Sequence, residues 1–244
     1  MVVKYFEYNI YNGPFENLYK HGFNTPYPIV ISTINPHSFV VAEQDYQFKN
    51  ALKSSNYLVL DGVGIKILLL FLFKRVNIYN GPFIHSQIIK MFKNIPLKIF
   101  YMGSSLSVLE KIKLKHATET PLWEIQFLSP PYEAKFSEET NFSIVSSINS
   151  FSPDILFVGM TAPKQEKWVD ENKFNINSKY IIPIGAVFDF YSGEKKIAPK
   201  LFQKLYLIWF YRLIFDFKHV WKRTIISLPL FFYYNLKKTI RQIF

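Results

Sequence analysis

The sequence predicts an α/β fold built on a doubly wound parallel sheet. Three observations carry this. From residue 97 onward, short apolar runs at 97–102, 123–127, 154–158 and 180–184 alternate with helix-length stretches at roughly 104–114, 137–149 and 163–172. Strands separated by helices in this way form parallel sheets. The runs end in turns carrying Gly103, Gly159 and Gly185. The chain has 244 residues, 49% of them apolar, which suits one large domain, or a domain with an appendage, around a real core.

In chain order, residues 1–27 are rich in Tyr, Asn and Pro and read as one short strand with loops. An apolar strand at 28–34 ends in Thr33-Ile34-Asn35-Pro36. A helix over 38–53 follows, with Ser38 as its cap and Phe39, Ala42, Tyr46 and Leu52 on its buried side. The strand 57–60 delivers Asp61-Gly62-Val63-Gly64. A nearly all-apolar helix over 65–73 then leaves through Lys74-Arg75-Val76. Two readings of Asp61 stand side by side. A carboxylate at a strand's carboxyl end can take a proton from an acceptor hydroxyl, or it can cap the helix that follows. Gly62 and Gly64 let a ligand approach the backbone.

The stretch 157–169, Phe-Val-Gly-Met-Thr-Ala-Pro-Lys-Gln-Glu-Lys-Trp-Val, organises the second half. A buried strand turns at Gly159, and a helix opens with Pro163 at its first position and Thr161 as its cap. Ligands of open parallel sheets bind at such carboxyl ends, and a helix N-terminus suits an anion such as a diphosphate. The alternative is an ordinary strand–turn–helix joint with a solvated Lys-Gln-Glu-Lys face. Gly103-Ser104-Ser105 is not a G-x-G-x-x-G fingerprint, so a nicotinamide cofactor has little support. The run Gly185 to Gly193 is either a turn packed on aromatics or a second piece of the cleft.

Composition excludes several classes. Cysteine is absent, so there are no disulfides or thiolate metal sites, and the five His form no HxxxH pair, so no structural zinc is expected. The opening residues carry no apolar run of signal-peptide length, so secretion is not expected. No stretch reaches the ~18 apolar residues of a membrane span; the runs at 67–73 and 225–234 are shorter, and Pro229 interrupts the second. The net charge of +11 is concentrated in residues 195–244, which hold eleven Lys and Arg against the single acid Asp216. That segment reads as two helices, 199–223 and 229–244, with Trp209, Trp221 and eleven Phe or Tyr. Basic and aromatic residues on amphipathic helices suit an anionic membrane surface. The other reading is a helical hairpin packed on the core with solvated lysines. A basic aromatic surface can also take nucleic acid, but no such motif is present and no nucleic-acid partner is expected.

The run Val158-Gly-Met-Thr-Ala-Pro-Lys-Gln-Glu-Lys-Trp168 resembles the signature of the WecG/TagA/CpsF glycosyltransferases. Gly185 to Gly193 with Ala198-Pro199 resembles that family's next block. Thr33-Ile34-Asn35-Pro36, Asp61-Gly62-Val63-Gly64 and Arg75-Val76 match its N-terminal blocks in order, and Trp209-Phe210-Tyr211-Arg212 with Lys222-Arg223 its C-terminal block. The similarity spans roughly residues 30–224. It implies a Rossmann-like core over 1–194, with the active-site region toward its N-terminal part. It implies also a basic helical appendage over 195–244 that associates with the membrane and closes the site. The implied enzyme is cytoplasmic, peripheral on the inner membrane face, inverting, and free of metal and cofactor. It moves a sugar such as N-acetylmannosamine, its uronate or glucuronate from a UDP-sugar to a polyprenyl-diphosphate-linked sugar, building teichoic acid, capsule or a related glycan. Asp61 takes the role of base. Thr33 and Asn35 line the sugar site, Arg75 and Gln165 match further family positions, and Arg212 and Arg223 close over the diphosphate. Gly103, Lys164 and Asp189, at or just after three other strand ends, complete the expected substrate-binding set.

The chain departs from the family pattern in places. Ile208 stands where a Glu is usual, Asp216-Phe217 replaces Glu-Pro, Lys218 and His219 replace arginines, and Ile78-Tyr79-Asn80 replaces Gly-x-Asp. Lys is no substitute for Arg where a phosphate is gripped by two hydrogen bonds. A rival reading is therefore a catalytically inactive UDP-sugar-binding or scaffold protein of the same pathway. Self-association is left open.

Overall fold

The computed structural model describes residues 1–19, 25–71, 75–196, 198–199, 201–202, 207–215, 221 and 225–243. Among them a sheet of eight strands forms: β1 (Val2–Tyr5), β2 (Tyr8–Tyr11), β3 (Ile29–Ile34), β4 (Tyr57–Leu60), β5 (Leu97–Gly103), β6 (Trp123–Leu128), β7 (Ile155–Gly159) and β8 (Tyr180–Pro183). Their order is β1-β2-β4-β3-β8-β7-β5-β6. Only β1 runs antiparallel to its neighbour. The fold is thus α/β with a mostly parallel sheet flanked by helices.

Side chains alternate along the strands and build two cores. Ile29, Ile31, Val59, Ile99, Tyr101, Phe157 and Ile182 face one side. Leu58 and Leu60 face the other, as do Phe100, Met102, Leu156, Val158 and Ile181. Such continuous apolar runs follow from burial on both faces. Helices α1 (Pro36–Gln44), α2 (Tyr46–Lys53) and α3 (Val63–Phe71) cover the second face, with α6 (Glu138–Phe151) and α7 (Lys164–Asn172) further along it. Helices α4 (Gly81–Phe92), α5 (Leu106–Glu119) and α8 (Ala186–Ser192) cover the first. Connections that step toward β1 (β3 to β4, β6 to β7, β7 to β8) use the second face, and the step from β5 to β6 uses the first. This is the pattern that one crossover hand produces.

Several local expectations are corrected. The stretch read as a single helix at 38–53 is two helices, because Asp45 ends α1 and its carboxylate accepts from Phe48 N at the start of α2. The first cap is Asn35, with Ser38 as its partner in a capping box. Pro163 is the N-cap of α7 and not its first helical residue; the Thr161 side chain makes no cap bond, although its carbonyl accepts from Lys164 N at 3.0 Å. The run after Gly185 is the helix α8. Helix α4 is an element that the sequence pattern does not announce; Asn80 caps it by accepting from Phe83 N at 2.9 Å, so the departure at Ile78-Tyr79-Asn80 keeps a helix start. Residues 1–11 form a two-strand hairpin.

On the first face a buried polar chain runs through the core. Tyr101 Oη lies 2.7 Å from both His85 Nε2 and His116 Nε2, and His116 Nδ1 is 2.9 Å from Thr120 Oγ1. Burial pushes both imidazoles down to about 3, so both are neutral. Thr120 donates to the His116 carbonyl. Its oxygen therefore accepts from His116 Nδ1–H, and Tyr101 donates to His116 Nε2 and accepts from His85.

Of the tail, helices α9 (Ile208–Phe215) and α10 (Ser227–Ile243) are described. Helix α10 lies along α1. Phe231, 1% exposed, packs edge-on against Phe39 with centroids 5.6 Å apart, and Tyr5 Oη donates to Asn235 Oδ1 at 2.6 Å. Lys238 pairs with Glu7 and Glu43, and Ser227 Oγ lies 2.7 Å from His37 Nδ1. Phe232, Tyr233, Leu236 and Ile240 stay exposed on its other side. No described helix is long and apolar enough to cross a membrane.

Candidate active site at the carboxyl edge of the sheet

The parallel strands deliver their carboxyl ends to one edge. The connection after β3 leaves to one face and that after β8 to the other, and β3 and β8 are neighbours. Crevices of this kind are where open α/β sheets bind ligands. The register of β3 with β4 pairs Thr33 with Val59 and Ile34 with Leu60. The Asp61 N–H then donates to the Ile34 carbonyl at 2.9 Å. That places the Asp61 carboxylate beside Asn35, whose Nδ2 donates to Asp61 Oδ2 at 3.4 Å.

The Asn35 amide is oriented by the helix it caps. Its Oδ1 accepts from Ser38 N at 3.0 Å, and Ser38 Oγ accepts from Asn35 N at 2.7 Å. With the oxygen engaged, Nδ2 is the end left for Asp61. Gly62 has φ +90, a conformation that L side chains rarely adopt, so the loop after Asp61 depends on glycine there. A Cβ on Gly64 would come within 2.3 Å of Pro36 Cγ, so the starts of α1 and α3, just after β3 and β4, are packed against each other.

Gln165 is 6% exposed and reaches the crevice from α7. Its Oε1 accepts from Gly185 N at 3.2 Å, and its Nε2 donates to Glu166 Oε1 at 2.8 Å. Glu166 is 5% exposed, and burial raises its carboxyl to about 7 against the lowering effect of the Gln165 bond. The rest of the signature run ties α7 to its surroundings. Lys164 Nζ donates to the Glu133 carbonyl and sits 3.7 Å from the Phe136 ring centroid, where burial lowers its pKa. Lys167 pairs with Asp45, and buried Trp168 donates to Asn141 Oδ1 at 2.7 Å.

The structure brings Thr33, Asn35 and Asp61 together at the ends of β3 and β4, with Gln165 and Gly185 at β8, the strand next to β3. Arg75 is exposed; its carbonyl accepts from Asn12 Nδ2 at 2.8 Å, beyond the end of β2. Gly103 ends β5 with φ +115, and a Cβ there would meet the Gly159 carbonyl at 2.3 Å. Its role in the structure is close packing of two strand ends. Lys164 is directed at the 133–136 loop, lining a cavity of about 470 Å³ with Lys135, Lys167 and Trp168. Asp189 is half-buried and paired with Lys195 at 2.9 Å. Arg212 falls within α9, and Arg223 lies outside the described residues.

Glu166 is the residue that sequence reasoning passed over. The signal was available: it stands three positions before Val169 on a helix, so it shares the face that Val169 buries.

The Asp61 carboxylate and the two oriented amides of Asn35 and Gln165 thus lie at the carboxyl edge of the sheet. A model of the glycosyl transferase WecG/TagA/CpsF family matches residues 6–243. The chain therefore belongs to that family and is a glycosyltransferase. It is similar to the N-acetylglucosaminyldiphosphoundecaprenol N-acetyl-beta-D-mannosaminyltransferase of Bacillus subtilis (strain 168), at 28% identity over 230 residues covering 90% of this chain and 87% of that protein. It is equally similar to the protein of the same name from Staphylococcus aureus (strain MRSA252), at 28% over 213 residues, 84% of this chain and 78% of the relative.

Proposed function

We propose that the chain transfers a sugar from a UDP-sugar to a sugar carried on polyprenyl diphosphate, with Asp61 as general base. N-acetylmannosamine is the sugar moved by the relatives, as their names state, and a related sugar or uronate fits the same chemistry. The observation that carries the reading is the Asp61 carboxylate at a strand end beside the cap-oriented Asn35 amide. The acceptor hydroxyl oxygen bonds to the anomeric carbon while the bond from that carbon to the UDP oxygen breaks. The hydroxyl proton passes to Asp61, and UDP leaves with the electron pair. One displacement inverts the anomeric centre. The departing diphosphate needs cationic and N–H donors; Arg75, Arg212, Arg223 and the Gln165 amide are the groups we assign to it, and Thr33 lines the sugar site.

The tail supports a peripheral place on the inner face of the membrane. Helix α10 docks through Phe231 and Asn235 and keeps Phe232, Tyr233, Leu236 and Ile240 exposed next to Lys237 and Arg241. Such a face enters the headgroup boundary of an anionic bilayer. Residues 195–244 would then act as an appendage to a Rossmann-like core.

The test is transfer from a panel of UDP-sugars to a short-chain polyprenyl-diphosphate-sugar, with EDTA present, for wild type and Asp61→Asn. Loss of at least about 100-fold in kcat with the fold intact is expected for removal of a general base. Turnover near wild type in the variant removes Asp61 from that role. UDP binding without transfer to any acceptor favours a sugar-nucleotide-binding protein instead.

A further inference from the structure

The orientation of the Gln165 amide is dictated by its partners. A backbone N–H only donates, so the atom facing Gly185 N at 3.2 Å is Oε1. The other end, 2.8 Å from Glu166 Oε1, is then Nε2. This accounts for the oxygen and one amide hydrogen. Among the described residues the second hydrogen of Nε2 has no partner. The spacing to Gly185 is fixed by packing, since a Cβ there would lie 2.2 Å from the Met160 carbonyl oxygen and 2.7 Å from Gln165 Oε1.

Glu166 is an expensive way to hold an amide. It is 5% exposed, and its Oε2 is buried with no hydrogen-bond partner among the described residues. An orphaned buried polar atom destabilises a fold, and an apolar side chain of similar size would not. What the carboxyl supplies in exchange is the acceptor at Gln165. Without it, the Gly185 bond alone would hold the amide, and Nε2 would lose the partner that fixes its direction.

We infer that Glu166 is a positioning residue that locks Gln165 as a hydrogen-bond donor facing the carboxyl edge, fitted to a phosphate or carbonyl oxygen of the donor nucleotide. The use of that donor rests on the glycosyl transfer proposed above; the lock itself does not.

Two measurements test it on the full chain. The first is solvent exchange of the Gln165 side-chain amide hydrogens, followed by NMR in ¹⁵N-labelled wild type, Glu166→Gln and Glu166→Leu. Protection of the hydrogen that faces Glu166 in wild type and Glu166→Gln, with its exchange about tenfold faster in Glu166→Leu, is expected for loss of a hydrogen bond worth about 1.4 kcal/mol. An unprotected Glu166-facing hydrogen in wild type, or equal exchange of it in all three, overturns the inference whatever the protein's activity. Glu166→Met serves if the leucine variant does not fold. The second is a kinetic cycle with Glu166→Leu and Gln165→Leu, singly and together. Glu166→Leu should lower kcat/KM about tenfold, Glu166→Gln should restore it, and Glu166→Leu should have no further effect once Gln165 is gone. Additive losses overturn the inference, since they place the action of Glu166 outside Gln165. A wild type that transfers no sugar defeats the proposed function alone, and the exchange measurement still decides the lock.

Discussion

Replacing Glu166 by Gln should change how stability depends on pH, by an amount set by burial. Burial raises this carboxyl from 4.5 to about 7. In the unfolded chain it titrates near its ordinary value. Between these values the native state keeps a proton that the unfolded state has released. The native state therefore binds more protons in that window, and stability falls as pH rises through it. The total loss on going from below 4.5 to above 7 is about 3 kcal/mol. Glutamine does not titrate and keeps the acceptor for Gln165 Nε2. The variant should match wild type at about pH 4 and exceed it by about 3 kcal/mol at about pH 8. Urea unfolding of both proteins across this range reads the difference. His85 and His116, both held near 3, bind protons only in the unfolded state as pH falls below the ordinary histidine range. They weaken both proteins equally toward acid and cancel in the comparison. An offset that is the same at every pH, or none at about pH 8, would refute the reasoning.

Other outcomes follow from the same geometry. Tyr101→Phe strands two buried imidazole nitrogens, His85 Nε2 and His116 Nε2, and should cost about 2–4 kcal/mol in urea unfolding; a change within error would mean that water replaces the hydroxyl. Phe231→Ala removes a ring that is 1% exposed and should cost about 3–5 kcal/mol, with faster proteolysis within residues 227–243 as the readout. Glutamates at Phe232 and Leu236, both exposed, should leave stability unchanged and reduce co-sedimentation with anionic vesicles about tenfold. Undiminished binding would remove α10 from the membrane contact.

The inner parallel strands were the legible part of the fold, because burial on both faces turns them into apolar runs, whereas β1 and β2, each with exposed positions, read as a single short strand. Helix boundaries were less so, and for local reasons. Asp45 looks like a charge on a helix face, yet it caps a second helix. Helix α4 hides its buried side behind His85, whose partner is Tyr101, sixteen residues on. At the site, Asp61 and Asn35 were legible as strand-end residues. Their contact depends on the β3–β4 register, which no single segment contains. Gln165 was singled out as a ligand-facing residue, but one side of its amide is taken by Gly185, twenty residues away. Lys164 and Asp189 carry charges that suit a phosphate or a sugar; in the structure the first is engaged by the 133–136 loop and the second by Lys195.

Helix α1 has two attachments whose combination matters. At its start Asn35 both caps the helix and faces Asp61, and along its flank it carries α10 through Phe39, with His37 hydrogen-bonded to Ser227. Nine residues of helix span about 14 Å, and such a rod moves as a body. The contacts of α10 and the amide beside the carboxylate are thus joined through one helix. On the function proposed above, anchorage and chemistry would share one mechanical link, and a pull on the C-terminal helix would move the neighbour of Asp61.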